Sequence, residues 1–299
     1  MSRQPLVGVL YNPDIPIVLD AIGERVDFVE IIPDRLWHDF GVGARRRFSR
    51  SRNAIAELQR YAQDRPLVGH GTGLSLPSAM PLDEQLLAEV VASHRTLNYR
   101  WYSEHLGLFA TSGTGLRDAG TGMEPPVVLD DETLELVGGK VRRLAEALGT
   151  RILLENSAMP AGVLEQDMTE PEFFNRLCHR TGCGMLLDFH NLYANILNPG
   201  ISADDYLAEL DSDVIVEIHL AGADRSIDLQ TDSLIRPASN EAWQCACAWA
   251  PRFRNLAAIT YEYRESYHRR LGLGGIGHEL ELMRDLADRI GESRTTRMT

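Results

Sequence analysis

The 299-residue chain is short of cysteine, of positive charge and of long apolar runs, and each shortage closes off a class of protein. Its four cysteines, Cys178, Cys183, Cys245 and Cys247, do not form the disulfide framework of a small secreted domain. Cys245-Ala-Cys247 is tighter than a usual zinc pair, so all four read as buried or helical thiols. The 30 Lys and Arg are outnumbered by 43 Asp and Glu. The formal charge of −13 leaves little basic footprint for phosphate contacts and argues against nucleic acid as a partner. No apolar run reaches the ~18 residues of a membrane helix. The opening MSRQPLVGVLYNPD lacks the basic, apolar and small-residue regions of a signal peptide. The expectation is a soluble cytoplasmic protein with no membrane partner. No GxGxxG follows an early strand and there is no P-loop, so a dinucleotide or nucleotide fold is disfavoured.

What the chain does have is strand–helix alternation. Short apolar, β-branched runs fall near 6–12, 26–33, 67–71, 99–106, 151–157, 184–191, 214–222 and 257–263. Between them, DEQLLAEVVASHRTL and DDETLELVGGKVRRLAEALG show the i, i+3, i+4 apolar spacing of amphipathic helices. TEPEFFNRLCHRTG offers Thr169 as N-cap, Pro171 in the first turn and Gly182 as the stop. Eight strands alternating with helices predict an α/β fold, a (β/α)8 TIM-type barrel. An open doubly wound sheet is the alternative. The expected organisation is a single domain over 1–290, with 291–299 as a frayed tail. The glycine-rich stretch 111–126 follows the fourth strand and is expected to overhang the active face.

Most of these strands end on residues that ligate metals. LVGHG ends at His70, RWYSEH at Glu104 and His105, and RILLENS carries Glu155. MLLDFHN carries Asp188 and His190, VIVEIHLAG carries His219, and AAITYEYRE ends near Glu262. In a parallel barrel all strand C-termini meet on one face, so these side chains converge. Asp188 and His190, and likewise Glu217 and His219, are two apart and point the same way if their runs stay extended. A lone histidine is more often a hydrogen-bonded structural residue. Four of them at strand ends beside carboxylates point instead to a metal centre. Imidazole with carboxylate suits iron, zinc or manganese. So many donors exceed what one ion needs, which predicts two or three ions bridged by Glu155 or Asp188. Glu104 is a candidate acid/base or a group that holds a ligand histidine, with a barrel-closing ion pair as the other reading. Asn191 and Asn156 could orient ligands or substrate, Arg264 could bind a substrate carboxylate, and Arg225 and Arg236 could hold an acidic peptide.

The motifs HGTGLSL (70–76), SEHL (103–106), LLENS (153–157), TGCGMLLDFHNLY (181–193) and EIHLAG (217–222), with DFVEI (27–31), resemble the multinuclear non-haem iron-dependent oxidative enzymes. The resemblance runs from about residue 5 to 265. It implies a β/α barrel holding two or three irons (Fe2+/Fe3+). It also implies dioxygen as co-substrate, a ribosomally made precursor peptide as substrate (often modified at cysteine) and a protein that recruits it. The implied metal ligands are His70, His105, Glu155, Asp188, His219 and Glu262, with Asp232 matching the aspartate of the family's Asp-x-His pair.

The chain departs from that pattern at three places. Leu234 stands where the histidine of the Asp-x-His pair is expected, and Ala223 stands where a histidine often follows HLAG. Asp188-Phe189-His190-Asn191 replaces the usual Asp-Val-Asn-Asn. Either His190 restores a ligand, or one metal position is lost. Two other functions stay open at this point. One is a non-redox metal-dependent sugar isomerase, epimerase or hydrolase on a related barrel. The other is a barrel that has lost activity and only binds.

Overall fold

The computed structural model describes residues 4–108, 126–158, 166–196, 202–223, 234–238, 240–263 and 265–296. β1 (Leu6–Tyr11) leads through α1 (Ile17–Ile22) to β2 (Phe28–Ile31). A short hairpin, β3 (Trp37–Asp39) and β4 (Phe48–Arg50), precedes α2 (Arg52–Tyr61) and β5 (Leu67–Gly71). Then come α3 (Glu84–Leu97), β6 (Trp101–His105), α4 (Asp131–Leu148), β7 (Arg151–Glu155), α5 (Glu170–Thr181) and β8 (Gly184–Asp188). α6 (Phe189–Asn195) and α7 (Ala203–Glu209) lead to β9 (Ile215–Ala223) and β10 (Leu234–Ala238). α8 (Asn240–Trp249), β11 (Ala258–Glu262) and α9 (Glu265–Thr296) complete the chain.

Strands β1, β2, β5, β6, β7, β8, β9 and β11 pair in parallel, and β11 returns to β1, so the sheet closes. This is the (β/α)8 barrel expected from the sequence, and its eight strands lie within the eight apolar runs, give or take a residue at the ends. β10 adds to β9 in antiparallel fashion, and β3–β4 form a separate two-stranded sheet.

The helices start and stop where capping chemistry directs. Asp83 accepts from the backbone N–H of Gln85 and Leu86, Asp130 from Thr133, and Thr169 from Glu172. α4 and α5 end on Gly149 and Gly182, at φ 66° and 76°, where glycine avoids the left-handed penalty. Two expectations need correcting. α9 continues to Thr296, through most of the segment expected to fray, because Arg294 donates to the carbonyls of Phe253 and Leu256. The strand expected over 184–191 ends at Asp188, which N-caps α6 by accepting from Asn191 N–H at 2.8 Å. His190 is therefore helical, and the period-two argument does not pair it with Asp188.

Inside the barrel, Phe28, Val68, Trp101, Leu153, Leu186, Val216 and Ala258 form an apolar floor. Gly8 on β1 lets it close, since a Cβ there would lie 2.3 Å from the Phe28 ring. Strand alternation then places the next inward residues nearer the C-terminal mouth, which is where the ionisable groups collect. Among the described residues, no helix is long and apolar enough to cross a membrane.

Candidate metal centre

The mouth of the barrel gathers donors from seven strands into three overlapping groups. They are His70, His105 and Glu155; Glu155, Asp188 and His219; and Glu30, His219 and Glu262. Within each group the donor atoms lie within 4.8 Å of one another. Glu155 belongs to two groups, and so does His219.

The first group is the tightest. Nε2 of His70 lies 3.0 Å from Nε2 of His105, and these atoms stand 3.3 and 3.1 Å from Glu155 Oε2. Donors about 2.1 Å from one cation and at right angles to each other are about 3.0 Å apart, so this triangle has the dimensions of one ligand face. The tautomer of His70 follows from its neighbour. The Ser103 hydroxyl donates its single proton to Gly69 O at 3.3 Å and so accepts from His70 Nδ1–H at 2.8 Å. The His70 Nε2 lone pair is thereby aimed at the group, as a hydrogen-bonded metal-binding histidine requires. Burial, with His105 and His219 nearby, holds His70 well below the usual imidazole range.

His219, fully buried, links the other two groups. Its Nε2 lies 3.0 Å from Glu30 Oε2, and its Nδ1 lies 3.4 Å from Glu262 Oε1 and 4.0 Å from Glu155 Oε1. Burial opposes a charge on this ring, yet Glu30, Glu262 and Glu155 together hold it well above the usual range. Asn191 donates to Glu155 Oε1 at 3.2 Å and to Asn156 O at 2.9 Å. The Asn156 side chain accepts from Asp188 N–H at 2.7 Å and donates to Asp188 O at 3.0 Å. These two asparagines splice β7 to β8 and fix the carboxylates that end them.

A cation fits this site. Glu30, Glu155, Asp188 and Glu262 are all buried around three imidazoles. Concentrating that much negative charge away from water is costly unless positive charge offsets it. Glu30 Oε1 and His219 Nδ1 are buried without a hydrogen bond among the described residues. Both are donor atoms of the third group's side chains. The set is imidazole and carboxylate with no thiolate, the preference of iron, manganese or zinc.

The structure therefore brings together six of the expected ligands: His70, His105, Glu155, Asp188, His219 and Glu262. It adds Glu30, which is not among them. The signal for it is a carboxylate inside the apolar run Phe28–Ile31, at an inward position. Asp232, Arg225 and Arg264 lie outside the described residues, as does most of the glycine-rich stretch 111–126. Arg236 sits in β10, where Leu234 pairs with Ala223. His190 is buried at the start of α6 but belongs to none of the three groups. Glu104, next to His105 in an extended strand, points to the opposite side of β6. There it accepts from Leu74 N–H and from Tyr102 OH, both at 3.1 Å.

The match to a family model described as RiPP precursor modification enzyme MbnB/TglH/ChrH spans residues 7–267. The chain belongs to that family. Relatives include a UPF0276 protein of Caulobacter vibrioides, 30% identical and covering 87% of this chain and 88% of its own. A UPF0276 protein of Rhizorhabdus wittichii is 30% identical over 81% of this chain and 78% of its own. Among solved structures, the D-psicose 3-epimerase of Clostridium cellulolyticum superposes with a TM-score of 0.55 at 12% identity, covering 97% of both chains. Endonuclease IV of Thermus thermophilus superposes at 0.56 and 16% identity, covering 95% of this chain and 100% of its own. At such identities the likeness shows a shared barrel alone.

Proposed function

We propose that this protein is a multinuclear non-haem iron enzyme that uses dioxygen to modify a side chain, cysteine or another, of a ribosomally made peptide delivered by a recruiting protein. The observation that carries the reading is the sharing of Glu155 and His219 among three donor groups at the mouth of a barrel of this family. His70, His105 and Glu155 would hold one ion, and His219 would hold a second, either with Glu155 and Asp188 or with Glu30 and Glu262. One neutral imidazole offers one lone pair, so His219 would serve one ion at a time, whereas Glu155 has two carboxylate oxygens to offer. Iron bound there supplies one-electron redox chemistry toward dioxygen. The chain's own residues orient and enclose. Ser103 fixes the His70 ring, Asn191 fixes Glu155, and the apolar floor from Phe28 to Ala258 closes the lower end to water.

The test is elemental analysis of protein purified without oxygen, followed by oxygen uptake on adding the precursor peptide. Two or three irons per chain with peptide-dependent uptake are expected. A single zinc or manganese with no oxygen use would replace this reading with a non-redox isomerase or hydrolase.

A further inference from the structure

One short segment reverses the charge of the whole molecule. Residues 45–52 read RRRFSRSR, with arginine at 45, 46, 47, 50 and 52, in a chain of net charge −13. The segment forms the second half of the β3–β4 hairpin and the first residue of α2. Its arginines do different things. Arg47 is buried and bonds Asp39 through Nε and Nη2 at 3.0 and 3.1 Å, and it also bonds Asp83, the N-cap of α3. That arginine pins the hairpin to the barrel wall. Arg50 pairs with Glu89 of α3 through both Nε and Nη2. Arg46 and Arg52 are exposed and make no ion pair among the described residues.

These outward arginines border a cavity of about 540 Å³ between β4, α2 and α3. Phe48 and Ile55 supply its apolar lining, and both pack partly against the core. Arg46, Arg50 and Arg52 line it against a single carboxylate, Glu89, which Arg50 already neutralises. The volume is that of a ligand-sized cleft. In the loop that joins β3 to β4, Phe40 and Val42 are 59% and 83% exposed. The hairpin follows β2, which carries Glu30 of the metal centre, and the groove lies on the outer flank of the barrel against Glu89 and Thr96 of α3.

We propose that this groove is a docking site for an acidic segment of the peptide substrate, seated by Arg46, Arg50 and Arg52 with an aromatic or aliphatic side chain against Phe48 and Ile55. The proposal rests on the peptide-modifying reading above. Charge complementarity selects the occupant. The net charge of −13 disfavours an acidic peptide over the molecule as a whole, and this patch of arginines offers it local pairing. Guanidinium forks match carboxylates in two-bond geometry, which gives register as well as attraction.

The test is fluorescence anisotropy of a fluorescein-labelled Glu-Glu-Phe repeat peptide with the full-length protein. A Lys-Lys-Phe repeat and an oligothymidylate of matching length serve as comparison probes. The acidic peptide is expected to bind, with affinity falling as salt is added. The double variant Arg46→Glu, Arg52→Glu is expected to weaken it at least about tenfold. Arg52→Lys, which keeps the charge but loses the fork, is expected to weaken binding less than the charge reversal does. Unchanged binding in the double variant would overturn the proposal, and so would oligothymidylate or the lysine peptide binding as well as the acidic one. Metal content is read on the same preparations and is expected to be unchanged in the double variant. Loss of docking is thus told apart from failure of the iron assignment, since anisotropy requires neither turnover nor oxygen.

Discussion

Glu155 and His219 stand 4.0 Å apart, Oε1 to Nδ1, on strands separated by β8, and each belongs to two of the three donor groups. Their removal should therefore differ from removal of a residue that serves one group. Glu155→Ala strips a donor from two groups and is expected to abolish activity and to lower metal content by at least as much as loss of a residue that serves one group. His70→Ala touches one group and is expected to lower the metal count by about one ion per chain while leaving the other. His219→Ala should abolish activity and lower metal content with the fold intact. Metal analysis with far-ultraviolet circular dichroism on the three variants checks this. Full activity in His219→Ala would refute the assignment.

Beneath the cluster, Glu217 is buried and takes hydrogen bonds from Trp101 Nε1 at 2.7 Å and Thr260 Oγ1 at 2.6 Å. Trp101 belongs to the floor, so one indole joins the apolar layer to the polar one above it. Trp101→Phe keeps an aromatic ring but leaves one Glu217 oxygen without its donor. Leaving a buried acceptor unpaired costs about 1–3 kcal/mol. Urea unfolding of the metal-free protein should show a loss of that size, and Thr260→Val should show a similar one.

The barrel and the gathering of most candidate ligands at its mouth are legible in the sequence for one physical reason. In a parallel barrel, an inward ionisable residue at a strand's end can only lie at the mouth, so strand ends mark the site. His70, Glu155, Asp188 and Glu262 each close an apolar run, and the structure gathers them. Glu30 escapes because Ile31 follows it and keeps the run apolar, hiding an inward carboxylate inside a strand. Spacing misplaces His190 because Asp188 ends the strand by capping α6, and a cap cannot be told from a strand residue by spacing alone. Glu104 adjoins His105, and only strand alternation shows that it points away. The β3–β4 hairpin is absent from the expected strands because three-residue strands such as WHD and FSR carry no periodic apolar signal, and β10, LIRPA, is too short and proline-broken to read as one.

Glu170 opens α5 and accepts from Tyr206 OH at 2.9 Å. The residue is half-buried, with its carboxyl against Tyr206. Burial pushes that carboxyl up to about 7, against the opposing hydrogen bond from Tyr206. Between its ordinary value of 4.5 and about 7, the folded chain keeps a proton that the unfolded chain has released. The folded state then binds more protons than the unfolded one, so this group's contribution to stability falls as pH rises through that window. Glu170→Gln is expected to remove that part of the slope. Urea midpoints measured below pH 4.5 and above pH 7 should converge in the variant relative to the parent chain.

Arg47 is the anchor on which the arginine hairpin depends. Its guanidinium, with only 8% of its side chain exposed, bonds Asp39 on the hairpin and reaches Asp83 Oδ2 at 2.6 Å. Asp83 also caps α3, so one side chain ties β3, β4 and the start of α3 together. Its carboxylate partners hold the guanidinium well above its ordinary range despite partial burial. Arg47→Met keeps much of the side-chain volume but leaves the enclosed Asp39 without its cation. A loss of about 2–3 kcal/mol is expected, below the figure for a fully buried pair because Asp83 reaches solvent. Arg47→Lys restores a charge without the fork and should recover only part of it. Amide exchange separates the two consequences. Faster exchange in Arg47→Met should appear at Phe40 N–H, which bonds Arg47 O at 2.8 Å, and in the first turn of α3, while β7 and β8 keep their protection. Uniform acceleration across the barrel would mean that Arg47 supports the whole fold and not the hairpin.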